Sequence, residues 1–222
     1  MTIDYRPLWL SLELALISTV LLLVISIPVA AFLSSRSFRL KAAVEAVISL
    51  PLVLPPSVLG FYLLIAFSPA NAFGSFLESF NLRLVFSFQG LVLGSMIYSF
   101  PFMVHPLQAG LQSLPPRLKE ASYMLGKSKV QTLFRVLLPN IRPSLLAGIV
   151  LSFAHTLGEF GVVLMIGGNI EGKTKVASIA IYDEVESLHY HAAHVYSLIL
   201  LLLSFGILLL VYVWNKRLLK PA

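Results

Sequence analysis

The chain has 222 residues, 58% of them hydrophobic and 12% charged, with 16 Lys and Arg against 10 Asp and Glu for a net charge of +6. So apolar a balance excludes an ordinary soluble domain of this length and makes the bilayer the solvent. Low charge density and the lack of cysteine also exclude a disordered chain, a disulfide scaffold and a thiolate metal site, leaving five histidines as candidate ligands.

A membrane-crossing helix needs about 20 apolar residues at roughly 1.5 Å each. Five stretches meet that need, which predicts an all-α integral membrane protein with residues 1–222 forming one domain. The first span covers about 9–35. The cluster Arg36, Arg39 and Lys41 follows it instead of preceding it, and its apolar stretch is longer than a signal peptide's, so it is expected to stay in the protein. The second span, about 46–68, contains Pro51, Pro55 and Pro56, each of which removes a backbone donor and clashes with the preceding turn. The third covers about 84–109.

The segment 112–142 that follows reads as two short helices. The first opens at Pro115 and Pro116, where a missing N–H is tolerated. It carries Leu118, Ala121, Ser122 and Leu125 at helical spacing and ends at Gly126. The second opens on a capping box, Ser128 with Gln131, shows an apolar face of Val130, Leu133, Phe134, Leu137 and Leu138, and closes at Pro139. Periodicity alone also fits an amphipathic pair lying on the membrane surface.

The fourth span, about 143–168, contains Glu159, the sole carboxylate deep in a span, where a charge costs about 2.5 to 3.5 kcal/mol. His155, one turn earlier, is the nearest candidate partner, and Gly158 and Gly161 permit close helix approach. Residues 167–174 satisfy the pattern G-x-x-x-x-G-K-[ST] letter for letter. A phosphate-binding loop needs a strand before it, a helix after it and a sheet around it. Here it follows a span, with too little chain before the next one for a nucleotide-binding domain, so an exposed loop is expected. His189, His191 and His194 precede or open the fifth span, about 194–214; with no cysteine and with acids that suit a solvated loop, no metal is expected.

Lys and Arg in short loops set orientation. Twelve of the sixteen fall on one side: Arg36, Arg39, Lys41, Arg117, Lys119, Lys127, Lys129, Arg135, Arg142, Lys216, Arg217 and Lys220. The other side holds Arg6, Arg83, Lys173 and Lys175 and most of the acids. The N-terminus is therefore predicted outside and the C-terminus in the cytoplasm. The net charge reads as topology, with no nucleic-acid partner, because the cations flank spans instead of forming one stripe.

The string EASYMLGKSKVQTLFRVLLP over 120–139 resembles the EAA loop of ABC-importer permeases. Glu120, Ala121, Gly126, Val136, Leu138 and Pro139 match that pattern in spacing, with Ser122 in place of its second alanine. The resemblance implies the type I permease fold and a coupling helix seated in a separate ATPase subunit. It implies no catalytic residue and no cofactor in this chain. Glu120, the one acid of the loop, is expected to pair with a nearby Lys or Arg, the alternative being a contact to the partner.

Two further strings, SLPLVLPPSVLGFYLL over 49–64 and SFAHTLGEFGVVLMIGGNIEGKT over 152–174, are similar to molybdate ABC-transporter permeases, a likeness extending over nearly the whole chain. It implies an inner-membrane subunit that translocates molybdate or tungstate. Its implied partners are two ATPase subunits, a periplasmic or extracellular oxyanion-binding protein, a second copy of itself and the bilayer. The loop 171–194 would belong to the surface that meets the binding protein. A sulfate-type ABC permease is the alternative within this class. A secondary transporter would show inverted repeats, and none is evident. An intramembrane hydrolase built on Ser152 and His155, or on Glu159, lacks a converging third group.

A dianion crossing the membrane needs donors, and no Lys or Arg lies inside a span, so hydroxyls, backbone N–H groups or helix N-termini must serve. Pro55, Pro56, Ser57 and Glu159 are the candidate pathway or gate residues. An ordinary proline kink fits the second span equally. Ionised, Glu159 would repel the substrate, which favours a structural role beside an interface or wet cavity.

Overall fold

A computed structural model describes residues 4–218, all of its regular structure helical. Lys220, part of the C-terminal basic cluster, lies outside the described residues. α1 (Arg6–Ser35) runs unbroken through Pro28, and the residues it buries, among them Ser11, Ala15, Ser18, Leu22, Ser26 and Ala30, recur at helical spacing and are mostly small. Small residues let helix backbones approach where lipid supplies no hydrophobic drive.

α2 (Lys41–Val53) and α3 (Pro56–Phe67) meet at 113°. The residue before a proline is pushed out of the helical region, and two consecutive prolines make two such residues. Leu54 and Pro55 are accordingly extended, with ψ of 136° and 137°, while Pro51 is accommodated inside α2. After the short α4 (Ala72–Ser79), Ser87 caps α5 (Phe88–Ser113) by accepting the Gly90 N–H at 3.1 Å. α5 is central: α1 and α2 pack on it, and so do the later helices α9 (Arg142–Leu157) and α10 (Gly161–Gly167). A second Leu-Pro-Pro ends it, with Leu114 and Pro115 at ψ of 136° and 134°, the same device as at the α2–α3 break.

α6 (Pro116–Met124) ends at Gly126, whose φ of +74° belongs to the left-handed region that glycine enters without strain. The expected capping box is formed: Ser128 accepts the Gln131 N–H and Gln131 accepts the Ser128 N–H, opening α7 (Lys129–Thr132). The helix does not close at Pro139. It passes through a π turn over Leu133–Leu137 into α8 (Leu138–Asn140). A proline has no N–H to donate and collides with the carbonyl one α-turn back; the wider turn relieves that collision and lets the helix continue.

α9 (Arg142–Leu157) then leaves at 83°. The fourth predicted span is divided: residues 158–160 separate α9 from α10 (Gly161–Gly167). α11 (Ala177–Glu186) and α12 (Tyr190–Leu218) complete the chain. α1, α5 and α12 are each long and apolar enough to cross a membrane, and the count reaches five if each bent pair is one span.

The two ends of the molecule differ. Ser11 Oγ accepts the Ala177 N–H at 2.8 Å and the Tyr196 hydroxyl donates to the Asp4 carbonyl at 2.7 Å, so the N-terminal end of α1 sits with α11 and the start of α12. Its C-terminal end borders a cavity of about 650 Å³ shared with α6 and α7, where Arg36, Lys119 and Lys129 gather. Leu201, Leu202, Phe205, Leu209 and Leu210 of α12 stay exposed, an apolar face suited to lipid or another chain.

Candidate functional site

The loop string divides by burial into a braced inner half and an exposed outer one. Ser122 is buried and its hydroxyl meets that of Thr132, also buried, at 2.8 Å, locking α6 to α7. Leu138 packs with Leu22, Ala30, Met103, Leu107 and Ile141, which fastens the loop to the α1–α5 core. Val136 is half-buried and its carbonyl accepts from Asn140 Nδ2 at 2.7 Å. Glu120 and Ala121 are exposed. The intraloop pairing expected of Glu120 is not formed: it joins no ion pair among the described residues, and its carboxylate is left to solvent or a partner.

The predicted apolar face of the second helix is likewise split. Leu138 is buried, whereas Val130 and Phe134 are exposed, and Met124 and Leu125 beside them are 89% and 78% exposed. A rigid, capped helix pair thus presents an apolar tip, the kind of surface that a partner protein covers.

The pathway candidates converge at the two helix breaks. A cavity of about 630 Å³ is lined by Pro56 and Ser57 at the start of α3, by His155, Gly158 and Glu159 at the end of α9, and by Tyr98 of α5. Pro55 is exposed and forms the break itself without lining the cavity. Among the described residues, no Lys or Arg lines it. The breaks are held together by close approach. A methyl group on Gly161 would lie 2.6 Å from Pro56 Cβ, and one on Gly60 would lie 2.8 Å from Met165 Cβ. Gly161 therefore serves the expected helix approach. Gly158 does not, since the nearest atom to an added methyl there is 3.8 Å away and belongs to its own helix.

Glu159 is 5% exposed and finds a different partner from the one expected. Its Oε1 accepts the Val162 N–H at 2.8 Å across the start of α10, its carbonyl accepts from Ser178 Oγ of α11 at 2.6 Å, and Oε2 has no partner. His155 turns to α5 instead. Its Nδ1 lies 3.0 Å from Ser99 Oγ, which in turn lies 2.9 Å from Thr156 Oγ1, and its ring stacks on Phe102 with centroids 4.1 Å apart. Spacing along one helix made Glu159 and His155 look like a pair, but the break after Leu157 turns the carboxyl toward α10.

The phosphate-loop look-alike is a closed turn after a helix. The Thr174 hydroxyl, which a nucleotide site would need for its metal, is fully buried, donates to the Gly167 carbonyl at 2.7 Å and accepts the Ile170 N–H at 2.9 Å. Asp183 of α11 ties the turn down through Asn169 Nδ2 at 3.0 Å and Lys175 Nζ at 2.7 Å. Burial pushes the Lys175 ammonium down, but the Asp183 hydrogen bond and the charges of Asp183, Glu171 and Glu184 outweigh it and leave its pKa above the ordinary lysine value. His189 Nδ1 lies 3.1 Å from Glu184, an exposed pair.

Residues 14–220 match the family described as binding-protein-dependent transport system inner membrane component. The chain is 45% identical to the molybdenum transport system permease protein ModB of Azotobacter vinelandii, over 94% of this chain and 93% of that one. It is 33% identical to a probable sulfate transport system permease protein of Prototheca wickerhamii, over 90% and 79%. Its fold resembles that of a bacterial alginate ABC transporter solved in complex with an alginate pentasaccharide-bound periplasmic protein. That match has a TM-score of 0.79 at 19% identity and covers 98% of this chain and 80% of that one.

Proposed function

Because the chain belongs to the family of binding-protein-dependent transport system inner membrane components, we propose that it is the membrane-spanning subunit of an ATP-driven importer that carries molybdate, or the isosteric tungstate, into the cell. The observation that carries the substrate is the 45% identity to a molybdenum permease over nearly the full length of both chains. The sulfate permease, at 33%, makes sulfate the second reading.

In this reading the subunit hydrolyses nothing. ATP is turned over by two ATPase subunits, each gripping one copy of the loop 112–142 through Glu120, Ala121 and the exposed Met124, Leu125, Val130 and Phe134. Ser122, Gly126, Val136, Leu138 and Pro139 keep the loop stiff and tied to the core, so that its displacement reaches the spans; a compliant linker would absorb it. Two copies face each other around the path, since one copy has too few helices to enclose it and symmetric pairing is the usual remedy. The N-terminus, the turn 167–174 and α11 lie outside, where an oxyanion-binding protein docks; the C-terminus is cytoplasmic. The cavity at the two breaks, with Pro55, Pro56, Ser57 and Glu159, belongs to the path or its gate.

Vesicles containing this chain, its ATPase and its binding protein should accumulate labelled molybdate only with ATP inside the ATPase compartment. Tungstate should compete strongly and sulfate weakly. Uptake that sulfate suppresses as well as molybdate does would shift the assignment to sulfate.

A further inference from the structure

Resting on that reading, we propose that His155 is the side-chain donor that meets the oxyanion inside the cavity at the two helix breaks. The chemistry required there is narrow. A tetrahedral anion leaving water needs N–H or O–H groups, the cavity is lined by no Lys or Arg among the described residues, and its one carboxyl belongs to Glu159.

His155 is built as a positioned donor. Phe102 and Tyr98 of α5 both pack against the ring, with centroids 4.1 Å and 4.7 Å away. Nδ1 is engaged by Ser99, and Ser99 by Thr156, a relay of two fully packed hydroxyls. Nε2 is left without a protein partner among the described residues, on a ring that borders the cavity. An anion in the cavity selects the relay direction in which Thr156 donates to Ser99 and Ser99 to Nδ1. The ring proton then sits on Nε2, where it can be shared with the anion. An ionised Glu159 lining the same cavity would oppose a long stay, and a transport site must hold its ion weakly enough to release it. Ser57 lines the same space from α3.

Two substitutions separate donation from packing. His155→Phe keeps the aromatic stack and removes the nitrogens; His155→Gln keeps an N–H donor of similar reach and removes the stack. Each would be purified with the ATPase, checked for co-purification and melting temperature, and assayed for uptake of labelled molybdate beside the wild type. The expected result is a fall of tenfold or more for the Phe variant against two- to fourfold for the Gln variant. Uptake by the Phe variant equal to or above that of the Gln variant would overturn the donor role and leave His155 a packing residue. Wild-type vesicles that import none of molybdate, tungstate or sulfate would remove the transport reading and this inference together, whereas wild-type import with the wrong order of variants removes the inference alone.

Discussion

Glu159 carries two jobs in one residue, since its Oε1 caps the start of α10 and its carbonyl receives Ser178, while its Oε2 stands unpartnered in a buried place. Glu159→Gln preserves the shape and the acceptor for the Val162 N–H while removing the ionisable group. The complex should therefore assemble normally while molybdate uptake changes several-fold; uptake indistinguishable from wild type would strip Glu159 of any part in transport. The neighbouring glycines make a sharper pair, because their surroundings differ while their chemistry is the same. Gly161→Ala drives a methyl into the Pro56 ring at 2.6 Å and toward the backbone of Pro56 and Ser57, neither of which can swing aside. Overpacking of this kind costs about 1 to 3 kcal/mol, so the melting temperature should fall along with uptake. Gly158→Ala meets nothing closer than 3.8 Å at a negative φ and should be tolerated in both measurements.

At the level of elements, the loop 112–142 works as a lever only if α6 and α7 move as one body. What joins them is the Ser122–Thr132 hydroxyl pair together with the turn at Gly126. Thr132→Val is nearly isosteric and leaves the Ser122 hydroxyl buried without a partner, at a cost of about 1 to 3 kcal/mol. We expect a lower melting temperature and fewer molybdate ions imported per ATP hydrolysed; an unchanged ratio would mean that the joint does not transmit force. The bounds of this loop were legible in the sequence because they are set locally: Pro115 and Pro116 open α6, Gly126 closes it, and Ser128 with Gln131 opens α7, each through backbone groups a few residues apart. The π turn at Leu133–Leu137 and the break at residues 158–160 were not legible, because their causes are not local. The first depends on how Pro139 is fitted while Leu138 stays buried against α1 and α5, and the second on Gly161 seating against Pro56 of a helix a hundred residues earlier. The same limit explains why Ser57 and Glu159 could be singled out separately, while the part of His155 could not: its partners Ser99, Phe102 and Tyr98 come from α5.

Across the whole molecule, the fold separates two ends that the basic residues had already separated in sequence. The N-terminal end of α1 joins α11 and the start of α12 through Ser11 and Tyr196, whereas its other end shares a cavity with Lys119 and Lys129. The excess of Lys and Arg in the loops at that second end predicts that it faces the cytoplasm, and the proposed coupling requires the same orientation, since an ATPase on the opposite face would find no nucleotide. The chain contains no cysteine, so single introduced thiols report position without background. Met124→Cys, at the exposed tip of α6, and Lys173→Cys, in the exposed turn beyond α10, sit at opposite ends of the molecule. In intact cells a membrane-impermeant maleimide should label the thiol at 173 and spare the one at 124; after permeabilisation both should react. Labelling of 124 in intact cells would place the apolar tip outside, and the loop could then contact only an external partner.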